Sequence, residues 1–321
     1  MIDIYDKWLC IEDRDYIPII YATILANRFD DIPVWMFIVG LPSSGKSVII
    51  QNLEGCEEVY ILSSLTPKTL ISGWKQKKDD SDASLIPLLN RKVLLIKDFS
   101  TIRSLSPIEK PIILSQLRDA YDGECKRATG IEIKSFKSKF GLIACVTPDY
   151  EKQRLMEAML GERFLTFRLR APDPDRAIEK AIKSTGKKSV MEKELREIAN
   201  KFLGSVLMSS SHKIPRSVIN TISDLSKSLI VLRSPVSRDT YRGHIDFPVE
   251  VAECATRISK NLICLCRALM ELGFDSEYYL RLIKRITRDC IPYQRIKTID
   301  AIRSGKNKYT EIKDYVKISD R

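Results

Sequence analysis

Residues 40–47 combine two glycines, a lysine and a hydroxyl side chain at a spacing that suits phosphate binding. Such glycines let successive backbone N–H groups converge on phosphate oxygens at the positive end of a following helix. In this pattern the lysine reaches the β- and γ-phosphates, and the hydroxyl binds Mg²⁺. We therefore expect the loop to bind a nucleoside triphosphate, through Gly40, Pro42, Ser43, Ser44, Gly45, Lys46, Ser47 and Val48.

The residues around this loop support the same interpretation. An apolar run over residues 34–39 predicts a buried strand that leads into the loop, and residues 47–53 predict the helix that leaves it. A Gly/Ser turn with an exposed lysine is the alternative interpretation of the motif.

A second candidate site residue follows another apolar run. Residues 93–96 predict a buried strand, and Asp98 stands two positions after it. The carboxyl ends of parallel strands meet at one edge of a sheet, so Asp98 should face the same crevice as residues 40–47. We expect Ser47 and Asp98 to hold Mg²⁺, Asp98 through a bound water. The alternative is an aspartate that caps a turn.

The remaining pattern predicts an α/β fold. Further strands are expected at 58–62, 141–146 and 164–169, and strands that alternate with helices indicate a five-stranded parallel sheet covered on both faces. Helices are expected within 14–29, at 63–73, 112–121 and 151–160, and then at 175–184, 189–204, 215–232, 248–272, 275–289, 293–302 and 309–316. We expect an α/β domain over 1–172, a helical domain over 173–289 and a further segment over 290–321.

Basic side chains are unevenly distributed along the chain. Residues 126–139 hold five basic and one acidic side chain in an alternating stretch that predicts a β-hairpin. Residues 1–172 carry 24 basic and 23 acidic side chains, whereas residues 173–321 carry 29 and 19. The net charge of +11 favours a polyanionic partner such as nucleic acid. A solvated, lysine-rich surface is the alternative.

Composition also narrows the class of protein. The first residues are acidic and no apolar stretch approaches 18 residues, so we expect neither a signal peptide nor a membrane span. The eight cysteines include no Cys-x-x-Cys pair, and there are two histidines, which argues against a zinc site or a disulfide framework. We expect Cys264 and Cys266 to pack in the core, and reduced thiols to indicate a cytoplasmic protein.

Taken in chain order, these motifs resemble the AAA+ ATPases. The order is a phosphate loop, a strand-end Asp, a helix with a basic hairpin, a strand-end Thr, an Arg before the fifth strand and a helical lid. Residues 117–127 are similar to the segment that launches the pre-sensor-1 hairpin in the branch of MCM replicative helicases and bacterial enhancer-binding activators. Residues 255–263 are similar to the MCM sensor 2 helix, 291–321 to the start of its winged helix, and 75–82 to a short helix 2 insert.

The resemblance implies roles for three further residues. Thr147 would be sensor 1, which orients the attacking water or the γ-phosphate. Arg163 would be the arginine finger, which reaches a neighbour's nucleotide and stabilises charge in the transition state. Arg257 would be sensor 2, which links the lid to the γ-phosphate.

Each of these roles has an alternative. Thr147 could cap the next helix, Arg163 could be a surface residue, and Arg257 could pair with an acidic residue of the lid. The rival arginines are Arg154 and Arg168 for the finger and Arg238 for sensor 2.

The resemblance also implies a homo-oligomeric ring, a hexamer, with ATP between subunits. It would act on DNA as a helicase or translocase, through the hairpin at 126–139 and the basic lid. One departure concerns the base that polarises water, because Phe99 stands where the family has a glutamate. Either Asp122 or Glu124 supplies the base, or hydrolysis is slow. The alternatives are a slow nucleotide-gated switch or scaffold that remodels a protein partner, and a DNA-binding regulator.

Overall fold

The computed structural model describes residues 2–42, 44–71, 84–128, 133–152, 163–208, 213–234 and 254–317. Its described strands are β1 (Trp35–Val39), β2 (Val59–Leu62), β3 (Val93–Ile96), β4 (Glu124–Ala128), β5 (Ile133–Lys137), β6 (Gly141–Val146) and β7 (Phe164–Arg168). Five of them form a parallel sheet in the order β2-β3-β6-β1-β7, and β4 pairs with β5 in an antiparallel hairpin. The predicted α/β class and five-stranded parallel sheet are confirmed.

Helices surround this sheet. In chain order they are α1 (Ile2–Trp8), α2 (Tyr16–Ala26), α3 (Lys46–Gln51), α4 (Glu109–Tyr121), α5 (Pro174–Lys183), α6 (Lys188–Ser205), α7 (Arg216–Arg233), α8 (Thr256–Glu271), α9 (Ser276–Asp289), α10 (Tyr293–Arg303) and α11 (Tyr309–Val316). Short 3₁₀ helices occupy Ile86–Leu89, Phe99–Ser104 and Pro148–Lys152. Within the described ranges, no helix combines the length and apolar composition needed to cross a bilayer.

Strand β1 contributes to two cores because successive side chains of a strand point to opposite faces. Met36 and Ile38 face a core that α2 and helices α6 to α9 complete. Trp35, Phe37 and Val39 face a second core, which contains side chains of α4 and of the 3₁₀ helix after β3. All five residues of β1 are buried, as expected for an interior parallel strand covered on both faces.

The helices beyond β7 share the first of these cores. In α8, Ile258, Leu262, Leu265 and Leu269 recur at helical spacing and are buried together with side chains of the sheet. Cys264 and Cys266 are both buried, which confirms the predicted core packing. The predicted domain boundaries after residues 172 and 289 stay predictions.

Two local predictions differ from the structure. The expected helix at 63–73 is wrong over its described part, because Thr66 and Thr69 close a hydrogen-bonded turn through backbone and hydroxyl groups instead. Helix α1 was not predicted, and it buries Tyr5 and Trp8. The loop at 75–82 and residues 153–160 of the expected helix at 151–160 lie outside the described residues.

Candidate functional site

Three neighbouring strands end at the edge of the sheet that carries the phosphate loop. Strand β6 lies between β1 and β3, with Val39 level with Val146. The loop follows β1, Thr147 follows β6, and Asp98 stands two residues after β3. The Gly40 N–H donates to Val146 O at 3.2 Å, which joins the start of the loop to β6. The structure therefore brings residues 40–47, Thr147 and Asp98 to one edge.

The loop depends on glycine at two positions. Gly45 has a φ of +82°, in the left-handed region that favours glycine. A Cβ added to Gly40 would lie 3.0 Å from Ser44 Oγ and 3.3 Å from Leu169 Cβ. Both glycines therefore permit a close backbone turn, which is what a cradle for phosphate oxygens requires.

The Lys46 side chain is buried and folds back over the loop. Its Nζ donates to Leu41 O at 2.6 Å and to Gly40 O. Burial lowers the pKa of Lys46, and the charges of Cys145 and Asp98 oppose this effect. Since α3 has six residues, we expect the ammonium rather than the helix dipole to supply most of the positive charge here.

The other loop residues differ in exposure. Ser47 is exposed, and its hydroxyl makes no hydrogen bond to any described residue, so it is available as a metal ligand. Ser44 Oγ accepts from Lys46 Nζ at 3.4 Å. Pro42 is exposed and Val48 is half-buried, whereas Ser43 lies outside the described residues.

Asp98 is exposed and does cap a turn. Its Oδ1 accepts from the Ser100 N–H at 2.9 Å and from the Ser100 hydroxyl, at the start of the 3₁₀ helix Phe99–Ser104. Its Oδ2 makes no hydrogen bond to the part of the chain that the structure describes. A carboxylate has about four acceptor sites, so capping and metal binding are compatible at Asp98.

Strand β6 ends between the loop and Asp98. The Thr147 hydroxyl makes no hydrogen bond to a described residue, so Thr147 does not cap the following 3₁₀ helix with its side chain. Burial raises the pKa of the Cys145 thiol to about 12. The positive charge of Lys46 lowers this pKa, and the negative charge of Asp98 raises it. Neither Cys145 nor Asp149, an exposed carboxylate two residues after Thr147, was predicted as a site residue from the sequence.

Arg163 and Arg257 lie at the opposite end of the parallel strands, where β1 and β7 begin. Arg163 precedes β7, is buried, and donates from Nη2 to Asp122 Oδ2 at 2.7 Å. The guanidinium groups of Arg163 and Arg257 lie 5.3 and 5.7 Å from the centre of the same Tyr121 ring. That ring packs 5.0 Å from Trp35, the first residue of β1. From Trp35 to the loop, β1 runs for about 13 Å, so neither arginine lies near the phosphate loop of its own chain.

The candidate bases also lie away from the loop. Asp122 is paired with Arg163, and Glu124 is an exposed residue of β4. A hydrogen bond from Lys126 lowers the pKa of Glu124. The structure does not bring either carboxylate to the edge that carries Asp98.

Among the rival arginines, only Arg168 is described. Arg168 Nε donates to Asp289 O at 3.0 Å and its backbone N–H donates to Asp289 Oδ2 at 2.9 Å. These contacts attach α9 to the outer edge of β7. Arg154 and Arg238 lie outside the described residues.

Phe99 points into the second core. It is fully buried, with its ring centre 5.4 Å from that of Phe37 and 6.1 Å from that of Phe164. Phe37 and Phe164 stack on each other with ring centres 3.8 Å apart. A side chain at position 99 therefore enters an aromatic cluster rather than the crevice above β1.

Strands β4 and β5 confirm the predicted hairpin, with a different extent. Cys125 lies opposite Phe136 on the face toward the second core, and Lys126 and Lys137 are exposed. Lys139 lies two residues beyond the end of β5, and its Nζ donates to Phe29 O at 2.9 Å. The predicted basic hairpin at 126–139 is therefore shorter at its C-terminal end. The side chains of residues 127 and 134 lie outside the described part of the structure.

A buried ion-pair network lies beside the loop and was not predicted. Arg285 Nη1 donates to Asp13 Oδ1 at 2.6 Å and to Asp15 Oδ2 at 2.8 Å. Arg281 donates to both oxygens of Asp15, at 2.8 and 2.6 Å. Burial alone would raise the pKa of Asp15, but the two guanidinium groups hold it at about 2. The network thus joins α9 to the segment before α2.

The network also fixes the chain that leaves β7. Asp13 Oδ2 accepts from the Arg170 N–H at 3.0 Å, and Arg285 Nη2 donates to Arg168 O at 3.0 Å. Leu169, between these two contacts, lies against Gly40. The helical region is therefore connected to the phosphate loop through residues 168–170.

Asp289 makes stability depend on pH near this network. Burial raises the pKa of Asp289 from 3.8 to about 6, although the Arg168 N–H and the charges of Arg285 and Arg168 lower it. Between about pH 4 and 6 this carboxyl group is protonated to a greater extent in the folded protein than in the unfolded chain, so its contribution to stability falls as pH rises through this range. The contribution of this group to the pH dependence is on the order of 3 kcal/mol.

We expect Asp289→Asn to lose the part of the fall in stability between pH 4 and 6 that comes from this carboxyl group. Asparagine stays neutral over this range and still accepts the Arg168 N–H. Urea unfolding at pH 4, 5, 6 and 7 measures the difference. Asp224→Asn, at an exposed position of α7, is the control and should keep the wild-type profile. An unchanged profile in Asp289→Asn would show that the carboxylate is not the titrating group.

A cavity of about 610 Å³ opens beside the same segment. Leu9, Ile11 and Glu12 line one side, and Arg176 and Glu179 of α5 line the other. Arg176 Nη1 donates to Glu12 Oε1 at 3.4 Å across it. Glu12 directly precedes Asp13, so one side of the cavity adjoins the ion-pair network along the chain.

No protein-family model matches the chain, and no curated protein matches it. The candidate site therefore rests on the residues and contacts described above.

Proposed function

We propose that the chain is an AAA+ ATPase that binds ATP with Mg²⁺, assembles into a homo-oligomeric ring and acts on DNA. The observation that carries the proposal is the placement of the phosphate loop, Thr147 and Asp98 at the ends of three adjacent parallel strands. These are the groups needed to hold a triphosphate, orient water and hold a metal.

The residues present fit both ligands. Gly40 and Gly45 permit the loop backbone to approach phosphate, and the buried Lys46 ammonium is held by loop carbonyls that phosphate oxygens could replace. Among the described residues, no three His, Cys, Asp or Glu side chains lie close enough together to hold a metal. Mg²⁺ retains water and phosphate ligands, so Ser47 and Asp98 would suffice. Bound Mg²⁺ would neutralise charge on the phosphate oxygens.

The distant arginines support an oligomer. Arg163 and Arg257 share the Tyr121 ring at the edge opposite the loop, so they would act on a nucleotide held by a neighbouring subunit. Arg163 would first have to leave Asp122, which makes its availability dependent on assembly. A ring, proposed to be a hexamer, places the loop edge of one subunit against the arginine edge of the next.

DNA would be bound through exposed basic side chains. Lys126 and Lys137 on the hairpin, together with the basic helices after β7, would contact phosphates in a salt-dependent and largely sequence-independent way. We further propose that residues 173–289 form the lid and that α10 and α11 are the start of a winged-helix-like segment. A cytoplasmic location is part of the same proposal.

The burial of Phe99 favours a second candidate function. Neither Asp122 nor Glu124 lies near the loop, so neither takes the place of the missing glutamate. The chain would then turn ATP over slowly and serve as a nucleotide-gated switch or scaffold that remodels a protein partner. Steady-state hydrolysis with and without DNA separates the two candidates. Rapid, DNA-stimulated turnover supports the motor, and slow turnover that DNA leaves unchanged supports the switch.

The experiment that tests the proposal mixes two inactive variants. We expect Asp98→Ala and Arg163→Ala each to lower hydrolysis by about 10³-fold, because one loses the metal carboxylate and the other the arginine offered to its neighbour. In a one-to-one mixture, roughly a quarter of the sites pair an intact metal site with an intact arginine. Hydrolysis should therefore return to about a quarter of the wild-type rate.

Two further variants complete the test. Arg257→Ala repeats the test at a less buried arginine, and Arg118→Ala, at an exposed residue of α4, should behave as wild type. If neither Arg163→Ala nor Arg257→Ala is rescued in the mixture while both remain folded, these arginines do not act between subunits.

A further inference from the structure

The last two helices, α10 and α11, pack mainly on each other and present tyrosines to solvent. Ala301 is the one buried residue of α10, and α11 has none in the described structure. Tyr293, Tyr309 and Tyr315 are 48, 74 and 40% exposed. Rings with this much exposure gain only part of the burial energy of a core aromatic, and part of each ring stays in contact with solvent.

Three cationic side chains lie beside these rings. One is Arg168, whose Cζ is 5.9 Å from the centre of the Tyr293 ring, and the other two are lysines. Lys297 Nζ is 5.5 Å from the centre of the Tyr293 ring and 5.8 Å from that of Tyr315. Lys306 Nζ is 5.7 Å from the centre of the Tyr315 ring on α11. Neither lysine forms an ion pair with a described residue, so both charges are available to an anion.

Two of the three acids on these helices are engaged elsewhere, and the third, Asp314, is exposed beside Tyr315. Asp300 is occupied by Arg288, whose Nη2 donates to both of its carboxylate oxygens at 2.9 and 2.7 Å. Glu311 turns back to the Lys308 N–H at the start of α11. The four residues Tyr293, Lys297, Lys306 and Tyr315, here called the Tyr–Lys patch, therefore combine two exposed rings with two cations that lack an acidic partner in the described structure.

We infer that the Tyr–Lys patch binds single-stranded nucleic acid, with bases stacked on the tyrosines and phosphates held by the lysines. The rings of Tyr293 and Tyr315 lie at most about 11 Å apart, because both are within 6 Å of Lys297 Nζ, and this separation is within reach of neighbouring nucleotides in an extended strand. A duplex hides the faces of its bases, so stacking requires a single strand. The inference does not depend on ATP binding or on the hairpin.

The test uses the full chain without nucleotide. Fluorescence anisotropy with labelled (dT)₂₀ and (rU)₂₀ measures affinity over a range of salt concentrations. We expect Tyr293→Ala/Tyr315→Ala to weaken binding at least about 10-fold with little change in salt dependence. We expect Lys297→Gln/Lys306→Gln to reduce the slope of log K against log salt by about 1.4, since each phosphate contact on a single strand contributes about 0.7.

Matched controls separate this site from the others. Tyr309→Ala changes the most exposed tyrosine of the same helices, which has no lysine over its ring among the described contacts, and should have less than a twofold effect. Lys126→Gln/Lys137→Gln tests the hairpin separately. Alanine favours helix, and α11 buries nothing in the described structure, so circular dichroism should show all variants folded.

Three outcomes would overturn the inference. Loss of affinity only with the lysine variant would indicate a non-specific basic surface. Equal affinity for a 20-base-pair duplex would exclude stacking. Displacement of (dT)₂₀ by polyglutamate at equal charge concentration would indicate a site for an acidic protein.

Discussion

Replacement of Lys46 by alanine is expected to weaken ATP binding by about 10²–10³-fold, or about 3–4 kcal/mol. The ammonium is the main positive charge of the loop, and it would make charge-assisted hydrogen bonds to the phosphates. In the absence of nucleotide the same ammonium donates to the carbonyls of Gly40 and Leu41 and to Ser44 Oγ. Water can replace it there because Leu41 is exposed, so the free energy of unfolding should change by less than about 1 kcal/mol.

Calorimetric titration with ATP and urea unfolding of the free protein measure these two effects separately. Lys68→Ala, at an exposed lysine in the turn after β2, is the matched control and should leave both unchanged. If Lys46→Ala bound ATP as well as wild type while remaining folded, residues 40–47 would not be a nucleotide site, and both proposed functions would be lost.

Replacement of Arg285 by alanine is expected to destabilise the folded protein by about 3–5 kcal/mol. The substitution leaves Asp13 almost fully buried, with the Arg170 N–H as its remaining partner in the described network. It also removes one of the two guanidinium groups that hold the pKa of Asp15 at about 2. Uncompensated buried carboxylates of this kind favour the unfolded chain at neutral pH.

Arg281→Ala provides the matched control on the same helix. The Arg281 side chain is 49% exposed, compared with 12% for Arg285, so its loss should cost about 1 kcal/mol or less. The double variant Asp13→Asn/Arg285→Met should be more stable than the sum of the single changes predicts, since it removes both partners of one pair. If Arg281→Ala and Arg285→Ala destabilised the protein equally, the difference in burial between the two arginines would not explain the effect.

Patterns that repeat over a few residues allowed much of the fold to be predicted. The apolar runs that become β1, β3 and β6 are continuous because interior parallel strands are buried on both faces. The glycines and lysine of residues 40–47 are adjacent in sequence, so their spacing alone indicated a phosphate loop. Asp98 could be added because parallel strands end at a common edge.

Contacts between distant segments could not be predicted in this way. Asp13 and Arg285 are 272 residues apart in the chain, and nothing in either segment indicates its partner. The shared position of Arg163 and Arg257 on Tyr121 depends on how α8 packs against the end of α4. Periodicity specifies which face of an element is buried, and it does not specify which side chains meet across that face.

The prediction and the structure also differ in the direction of one side chain. Basic residues in an alternating stretch suggested that Lys139 belongs to the hairpin, but its ammonium turns back to Phe29 O. Strand termini are the least certain part of any pattern, and a lysine has a long enough stem to reach a carbonyl on the body of the protein.

The aromatic cluster around Phe99 restricts the evolutionary routes open to the chain. Loss of a buried phenylalanine costs about 3–5 kcal/mol, a large part of the 5–15 kcal/mol that stabilises a typical domain. An acid at position 99 would become tolerable only after Phe37 and Phe164 had also changed. Position 99 is therefore entrenched, and selection for faster turnover would act first at other positions around the crevice.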